Sequence, residues 1–136
     1  MTLVLDASFV VAVLTDGGEV GSWAEGSLHG EQLAAPHLMP AEVTNVLRRL
    51  VGSGIVSADV AALACADLGR LPVTFFEFEP FADRVWELRD NVTAYDAWYI
   101  ALAEYLEAPL GTLDERLMLA VGPRCDFLRT PESSGT

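Results

Sequence analysis

Leu3-Val4-Leu5-Asp6-Ala7-Ser8-Phe9-Val10-Val11-Ala12-Val13-Leu14 is the stretch that decides the fold. Its first three residues are a short apolar run suited to a buried strand, and residues 8–14 read as a helix. Asp6 stands at the junction, and Asp16-Gly17-Gly18 ends the helix. The same alternation continues along the chain. Residues 19–28 form a weaker helix closed by Gly30, and Leu33-Ala34-Ala35-Pro36 is a second short strand. A helix starts near Pro40 and ends at Gly52 or Gly54, with Val43, Val46, Leu47 and Leu50 on one apolar face. Ser57 caps a helix whose expected buried stripe is Val60, Leu63, Ala64 and Leu71. Residues 73–78, rich in β-branched and aromatic side chains, read as a strand. Pro80 opens another helix, with Phe81, Val85 and Leu88 facing inward. Residues 93–107 form the strongest helix, stopped by Pro109. Residues 110–112 and 127–128 are short strands around a last helix at 114–121. Such alternation argues for an α/β fold, a mostly parallel sheet with helices on both faces. Ligands in these folds bind at the carboxyl ends of the strands, where strand order reverses.

The chain has 136 residues, enough for one domain and one core, and 51% of them are apolar. Twenty acids stand against eight bases, all Arg, for a net charge of −12. That balance excludes a broad basic surface for nucleic acid, because the long-range field repels phosphate. The absence of Lys excludes P-loop nucleotide binding and Schiff-base chemistry. Cys65 and Cys125 lie far apart, and with only His29 and His37 beside them a zinc site is not expected. They read as buried or incidental thiols of a reducing cytoplasm. The apolar run at residues 3–14 lacks a basic flank and reads as strand into helix, not as a signal peptide, and no stretch is long enough to span a membrane.

Four acids occupy strand ends or helix starts: Asp6, Glu42, Asp96 and Asp114. Each has an ordinary explanation. Asp6 and Asp114 suit N-caps, Glu42 suits the positive end of a helix, and Thr93-x-x-Asp96 resembles a capping box, which Thr112-x-x-Glu115 fits outright. Three details point further. Asp96 shares its face with Tyr99, Ile100 and Ala103, an apolar or largely apolar stripe where an unpaired charge is costly. Glu42 shares a face with Asn45 and Arg49, opposite the apolar stripe. No base lies beside Asp6 or Asp96 in sequence. Converging carboxylates without cations repel one another, and the usual remedy is a hard divalent cation, Mg²⁺ or Mn²⁺. A carboxylate-bound ion pair suits phosphodiester hydrolysis.

The segments Leu3-Val4-Leu5-Asp6-Ala7-Ser8, Pro40-Ala41-Glu42-Val43, Thr93-Ala94-Tyr95-Asp96-Ala97 and Thr112-Leu113-Asp114-Glu115-Arg116-Leu117 resemble the four acidic motifs of PIN-domain ribonucleases. Order, spacing and chain length are similar as well, and the nearest group is the VapC-type toxins of prokaryotic toxin–antitoxin pairs. The resemblance covers residues 1–129 as one domain and leaves 130–136 as a frayed tail. It implies a three-layer α/β/α sandwich and a Mg²⁺-dependent endoribonuclease in the cytoplasm, with Mn²⁺ as a substitute ion. It implies metal ligation by Asp6 and Asp96, with Glu42 and Asp114 completing the cluster. Ser8 and Thr112 would orient carboxylates or waters. Asp114 is preferred over Glu115 as the fourth acid because it falls where the family's Thr-x-Asp pattern places it. The resemblance further implies RNA as substrate, homodimers, and a VapB-type antitoxin whose segment lies across the groove. A basic antitoxin segment would suit the negative surface. Arg116, the base nearest the cluster in sequence, is assigned to a substrate phosphate; an exposed surface Arg is the ordinary alternative.

Other classes compete. A housekeeping nuclease of the same family would share every one of these motifs. Receiver and dehalogenase-like phosphoryl-transfer domains also place acids at strand ends, but they normally use a lysine, and Asp6-Ala7-Ser8 lacks the second Asp of the dehalogenase-like pattern. A non-enzymatic module would use its acids as caps and Trp23, Trp86 and Trp98 as partner contacts, although aromatics at helical spacing are usually core.

Overall fold

Thr2–Leu5 forms β1, and its three buried residues run straight into helix α1, Ala7–Thr15. Asp6 caps that helix by accepting the Phe9 N–H, so strand and helix meet without a loop. The computed structural model describes residues 1–129. After α1 come α2 (Glu19–Ser27), β2 (Gln32–Pro36), α3 (Met39–Gly52), α4 (Ala58–Arg70) and β3 (Val73–Phe76). A 3-10 turn at Glu79–Phe81 leads into α5 (Ala82–Glu87), followed by α6 (Ala94–Leu106), β4 (Leu110–Gly111) and α7 (Glu115–Met118).

The strands pair in the order β3-β2-β1-β4, and every pairing is parallel. The chain thus builds the sheet outward from β1 to β3 and then returns to β1's other side with β4. Strand order reverses between β1 and β4, and in open α/β sheets such a point is where a crevice lies at the carboxyl ends of the strands. On one side α1 packs with α2, α3 and α4; on the other α6 packs across β1, β2 and β4 with α5 beside it. This is the expected three-layer α/β/α sandwich. Its core holds Leu3, Val4 and Leu5 of β1, Phe9 and Val10 of α1, Val43 and Leu47 of α3, and Tyr99 to Ala103 of α6. Phe81, Val85 and Leu88 face inward as expected.

Several elements differ from the sequence expectation. The α4 stripe is partly shifted: Ala64 is buried and Leu71 packs on the core as expected, Ala61 and Leu68 join them, and Val60 and Leu63 are exposed, Leu63 by 67%. Small residues let α4 approach closely, so the larger side chains stay outside. The third strand stops at Phe76 because its partner runs out, the register ending at Pro36↔Phe76. The expected strand at 127–128 is a single parallel bridge, Leu110↔Phe127. The last helix is only Glu115–Met118, with Leu117 its one buried residue. One buried side chain does not support the roughly two turns expected. Its cap is Asp114, not Thr112, so the capping box read from Thr112 and Glu115 does not form.

The tryptophans are divided. Trp23 packs edge-on against Phe9 and Trp98 against Phe78, while Trp86 is exposed under the Arg89 guanidinium. Both cysteines are free; Cys65 is exposed, and burial pushes the Cys125 thiol up to about 11. Among the described residues no helix is long and apolar enough to cross a membrane. The tail expected from Thr130 lies outside the described residues.

Candidate active site

Asp6 is 6% exposed, a carboxylate placed in the crevice by the short β1–α1 junction. Its backbone N–H donates to the Gly111 carbonyl of β4 at 3.0 Å, which ties the two strand ends together. The Ser8 hydroxyl donates to Asp6 Oδ1 at 2.7 Å and accepts the Leu113 N–H at 2.9 Å. The Ser8 and Thr112 hydroxyl oxygens lie 3.4 Å apart. Thr112, fully buried, accepts the Asp114 N–H at 3.0 Å. Ser8 and Thr112 therefore lace the ends of β1 and β4, Ser8 bonding the Asp6 carboxylate and Thr112 the backbone of Asp114.

The other acids approach from helix starts. Glu42 lies in the first turn of α3 and Asp96 in the first turn of α6, whose cap Thr93 accepts the Asp96 N–H at 3.1 Å. Asp114 caps α7 by accepting the Arg116 N–H. Burial raises the pKa of Asp6; the Thr112 and Ser8 hydroxyls and the Phe9 N–H oppose this, and Asp96 adds to it. Burial also raises Glu42, with the charges of Asp96 and Asp6 adding to it and a bond from Tyr99 opposing it. Asp96 is raised by burial and by Asp114, against the Thr93 hydroxyl and Arg116. These mutual effects bring all four predicted acids into one electrostatic neighbourhood.

Two expectations about their surroundings need adjustment. A base does lie near Asp96: Arg116, whose side chain is 94% exposed and whose Nε is 3.5 Å from Asp114 Oδ1. The four-residue α7 brings it round to the crevice. Asn45 is exposed and accepts from Arg48 Nε at 3.0 Å, so its amide oxygen is turned along α3 to a neighbour, outside the hydrogen-bonded acids. Glu115, next to Asp114, is exposed.

Tyr99 is a site residue that the sequence reading passed over. Its hydroxyl donates to Glu42 Oε1 at 2.5 Å, and burial with the nearby carboxylates pushes its pKa far up, so it remains a neutral donor. On the helix face it looked like one more apolar body beside Asp96. The signal available was its type: a fully buried phenol needs a partner.

The site's donors are all oxygen, the set a hard divalent cation prefers. Their chemistry fits such an ion, although among the described residues no three acidic, His or Cys side chains already stand together as a finished ion cage. A cavity of about 460 Å³ lies elsewhere, between β3, α5 and α6, and none of the four acids lines it. Its polar wall is the Arg84–Glu104 ion pair, already satisfied at 2.7 Å.

The sequence profile of the PIN domain matches residues 3–121. The chain belongs to the PIN-domain family. Its relatives narrow the group to the VapC ribonucleases. Ribonuclease VapC1 of Mycobacterium tuberculosis is 41% identical over 128 residues, covering 91% of this chain and 94% of the relative. Ribonuclease VapC9 of the same organism is 36% identical, covering 95% and 98%. A crystal structure of VapBC2 from Rickettsia felis bound to a promoter DNA fragment superposes with a TM-score of 0.68 at 13% identity, covering 96% of this chain and 99% of that one. At that identity the likeness speaks for the PIN fold alone.

Proposed function

We propose that this PIN-domain protein is a divalent-metal-dependent endoribonuclease that acts as the toxin of a toxin–antitoxin pair. The observation that supports the reading is that Asp6, Glu42 and Asp96 feel one another's charge beside the carboxyl end of β1, and that Asp96 also feels Asp114. The substrate class comes from the relatives named ribonucleases.

Asp6 and Asp96 would hold Mg²⁺ or Mn²⁺, with Glu42 and Asp114 completing the set directly or through water. When bound, the ion lowers the pKa of a water to supply the nucleophile and stabilises charge on the leaving oxygen. The chain's own groups set the geometry. Ser8 and the Phe9 N–H hold Oδ1 of Asp6 and so fix the carboxylate. Thr112 fixes the backbone of Asp114. Arg116, exposed at the mouth of the crevice, contacts a substrate phosphate and stands in for the basic surface that the chain lacks.

The negative surface suits a basic segment of a VapB-type antitoxin, whose Arg or Lys would reach the carboxylates and compete with metal. We infer a homodimer as the resting state, and a cytoplasmic location follows from an RNA substrate.

The deciding experiment has two arms. Purified protein with Mg²⁺ or Mn²⁺ is expected to cut single-stranded RNA, and chelation or Asp96→Asn to abolish the cut. Expression alone is expected to arrest growth, relieved by Asp96→Asn and by co-expression of the neighbouring reading frame. Cleavage without growth arrest would favour a housekeeping nuclease; metal binding that is negligible and equal in wild type and Asp96→Asn would sink the nuclease altogether.

A further inference from the structure

Tyr99 lies one turn after Asp96 on α6 and is 1% exposed. A phenol buried so deeply loses free energy unless its proton finds an acceptor. That acceptor is Glu42 Oε1, 57 positions away in the chain. The bond spans the site from α6 to the first turn of α3. Phenylalanine would fill the same space, and only the hydroxyl reaches Glu42.

The bond has a chemical consequence for Glu42. This carboxylate feels the like charges of Asp96 and Asp6, which push it away from the crevice. Its own helix lets it swing outward to solvent, because Glu42 is only half-buried. A donor fixed on the crevice side opposes that swing. It also takes one carboxylate oxygen and leaves Oε2 without a hydrogen bond among the described residues.

We propose that Tyr99 is a positioning residue that pins Glu42 by Oε1 and keeps its free Oε2 available to a divalent cation that Asp6 and Asp96 would hold. The proposal rests on the metal-dependent nuclease reading above. A purely structural role, tying α3 to α6, is the alternative that the experiment must separate.

The test compares wild type, Tyr99→Phe, Glu42→Gln and the double variant, all as full-length protein. Mn²⁺ binding is measured by calorimetry, RNA cleavage by kcat and KM, and folding by thermal melting without metal. Tyr99→Phe is expected to keep its melting temperature and its KM for RNA. Its Mn²⁺ affinity or kcat should fall by about 10- to 100-fold, the usual result of removing a group that orients a metal ligand. Glu42→Gln keeps an acceptor for the phenol but loses the charged ligand. The double variant should then lose no more than Glu42→Gln alone, because Tyr99 acts through Glu42. Unchanged Mn²⁺ affinity and kcat in Tyr99→Phe would overturn the proposal. So would losses that follow a lowered melting temperature, or losses that persist in full in the Glu42→Gln background. Wild-type protein that neither binds Mn²⁺ nor cleaves RNA would refute the nuclease reading and this proposal with it. Wild-type activity with an indifferent Tyr99→Phe would refute the proposal alone.

Discussion

Asp6 caps α1 through a single oxygen of its buried carboxylate. Its Oδ1 takes the Phe9 N–H and the Ser8 hydroxyl. The raised pKa of Asp6, Glu42 and Asp96 then makes a prediction about pH. A carboxylate whose folded pKa lies above its unfolded value binds protons more tightly when folded. Its stabilising share is complete below the ordinary carboxylate range and is lost as pH rises through the raised value. Metal-free protein should therefore lose stability as pH climbs from about 4 toward neutrality. Asp96→Asn removes one charge from the cluster, so it should melt higher than wild type at pH 7, and the gap should close toward pH 4. A large loss of melting temperature at neutral pH would mean that Asp96 is a structural group only. Arg116 gives a second check at this scale. Arg116→Ala should weaken RNA binding and lower the salt slope by about one. RNA affinity unchanged across several salt concentrations would remove Arg116 from the substrate path.

Elements were legible where one periodicity ran long enough to bury a face. The α3 stripe was read correctly because it places its large apolar residues on one side, and β1 and α6 because their near-continuous apolar runs are buried nearly all round. In α4 only Val60 and Leu63 were misplaced, because Ala61 beside the expected Ala64 permits a close approach that leaves the larger side chains outside. Strand ends at Phe76 and Phe127 failed because a strand's length is set by the neighbour that pairs with it. A close approach also governs α2. A Cβ on Gly21 would sit 1.9 Å from the Asp16 carbonyl oxygen, inside the backbone that ends α1. Gly21→Ala should cost about 1–3 kcal/mol by forcing α2 away from α1. Chemical denaturation with an unchanged m-value and a lower midpoint would show this; an unchanged midpoint would mean that the junction yields freely.

At the scale of the molecule, charge and metal are coupled. A net charge of −12 with eight Arg and no Lys opposes RNA at long range, yet the acids of the crevice are part of that total. Bound divalent ions would offset some of it at the place where phosphate must approach. Metal should therefore stabilise the fold as any ligand of the native state does, by about 2.7 kcal/mol at a hundredfold excess over Kd. Melting curves in Mg²⁺ or Mn²⁺ should rise with the logarithm of concentration in wild type and stay flat in Asp6→Asn. Equal rises in both would place the ions elsewhere on the acidic surface.

The sequence by itself determined the alternation of strands and helices, the absence of lysine chemistry, and the four acids at strand ends and helix starts. These are local properties: a hydrophobic period, a composition, and a residue type at a junction. Only the tertiary structure decided that strand order reverses between β1 and β4, so that Asp6 is bonded to Gly111 of β4 while Asp96 on α6 comes within reach of the charges of Asp6 and Asp114. It alone placed Arg116 beside Asp114 and turned Asn45 toward Arg48. It alone joined Tyr99 to Glu42, because a contact between residues 57 positions apart depends on how two helices pack and leaves no periodic trace in either.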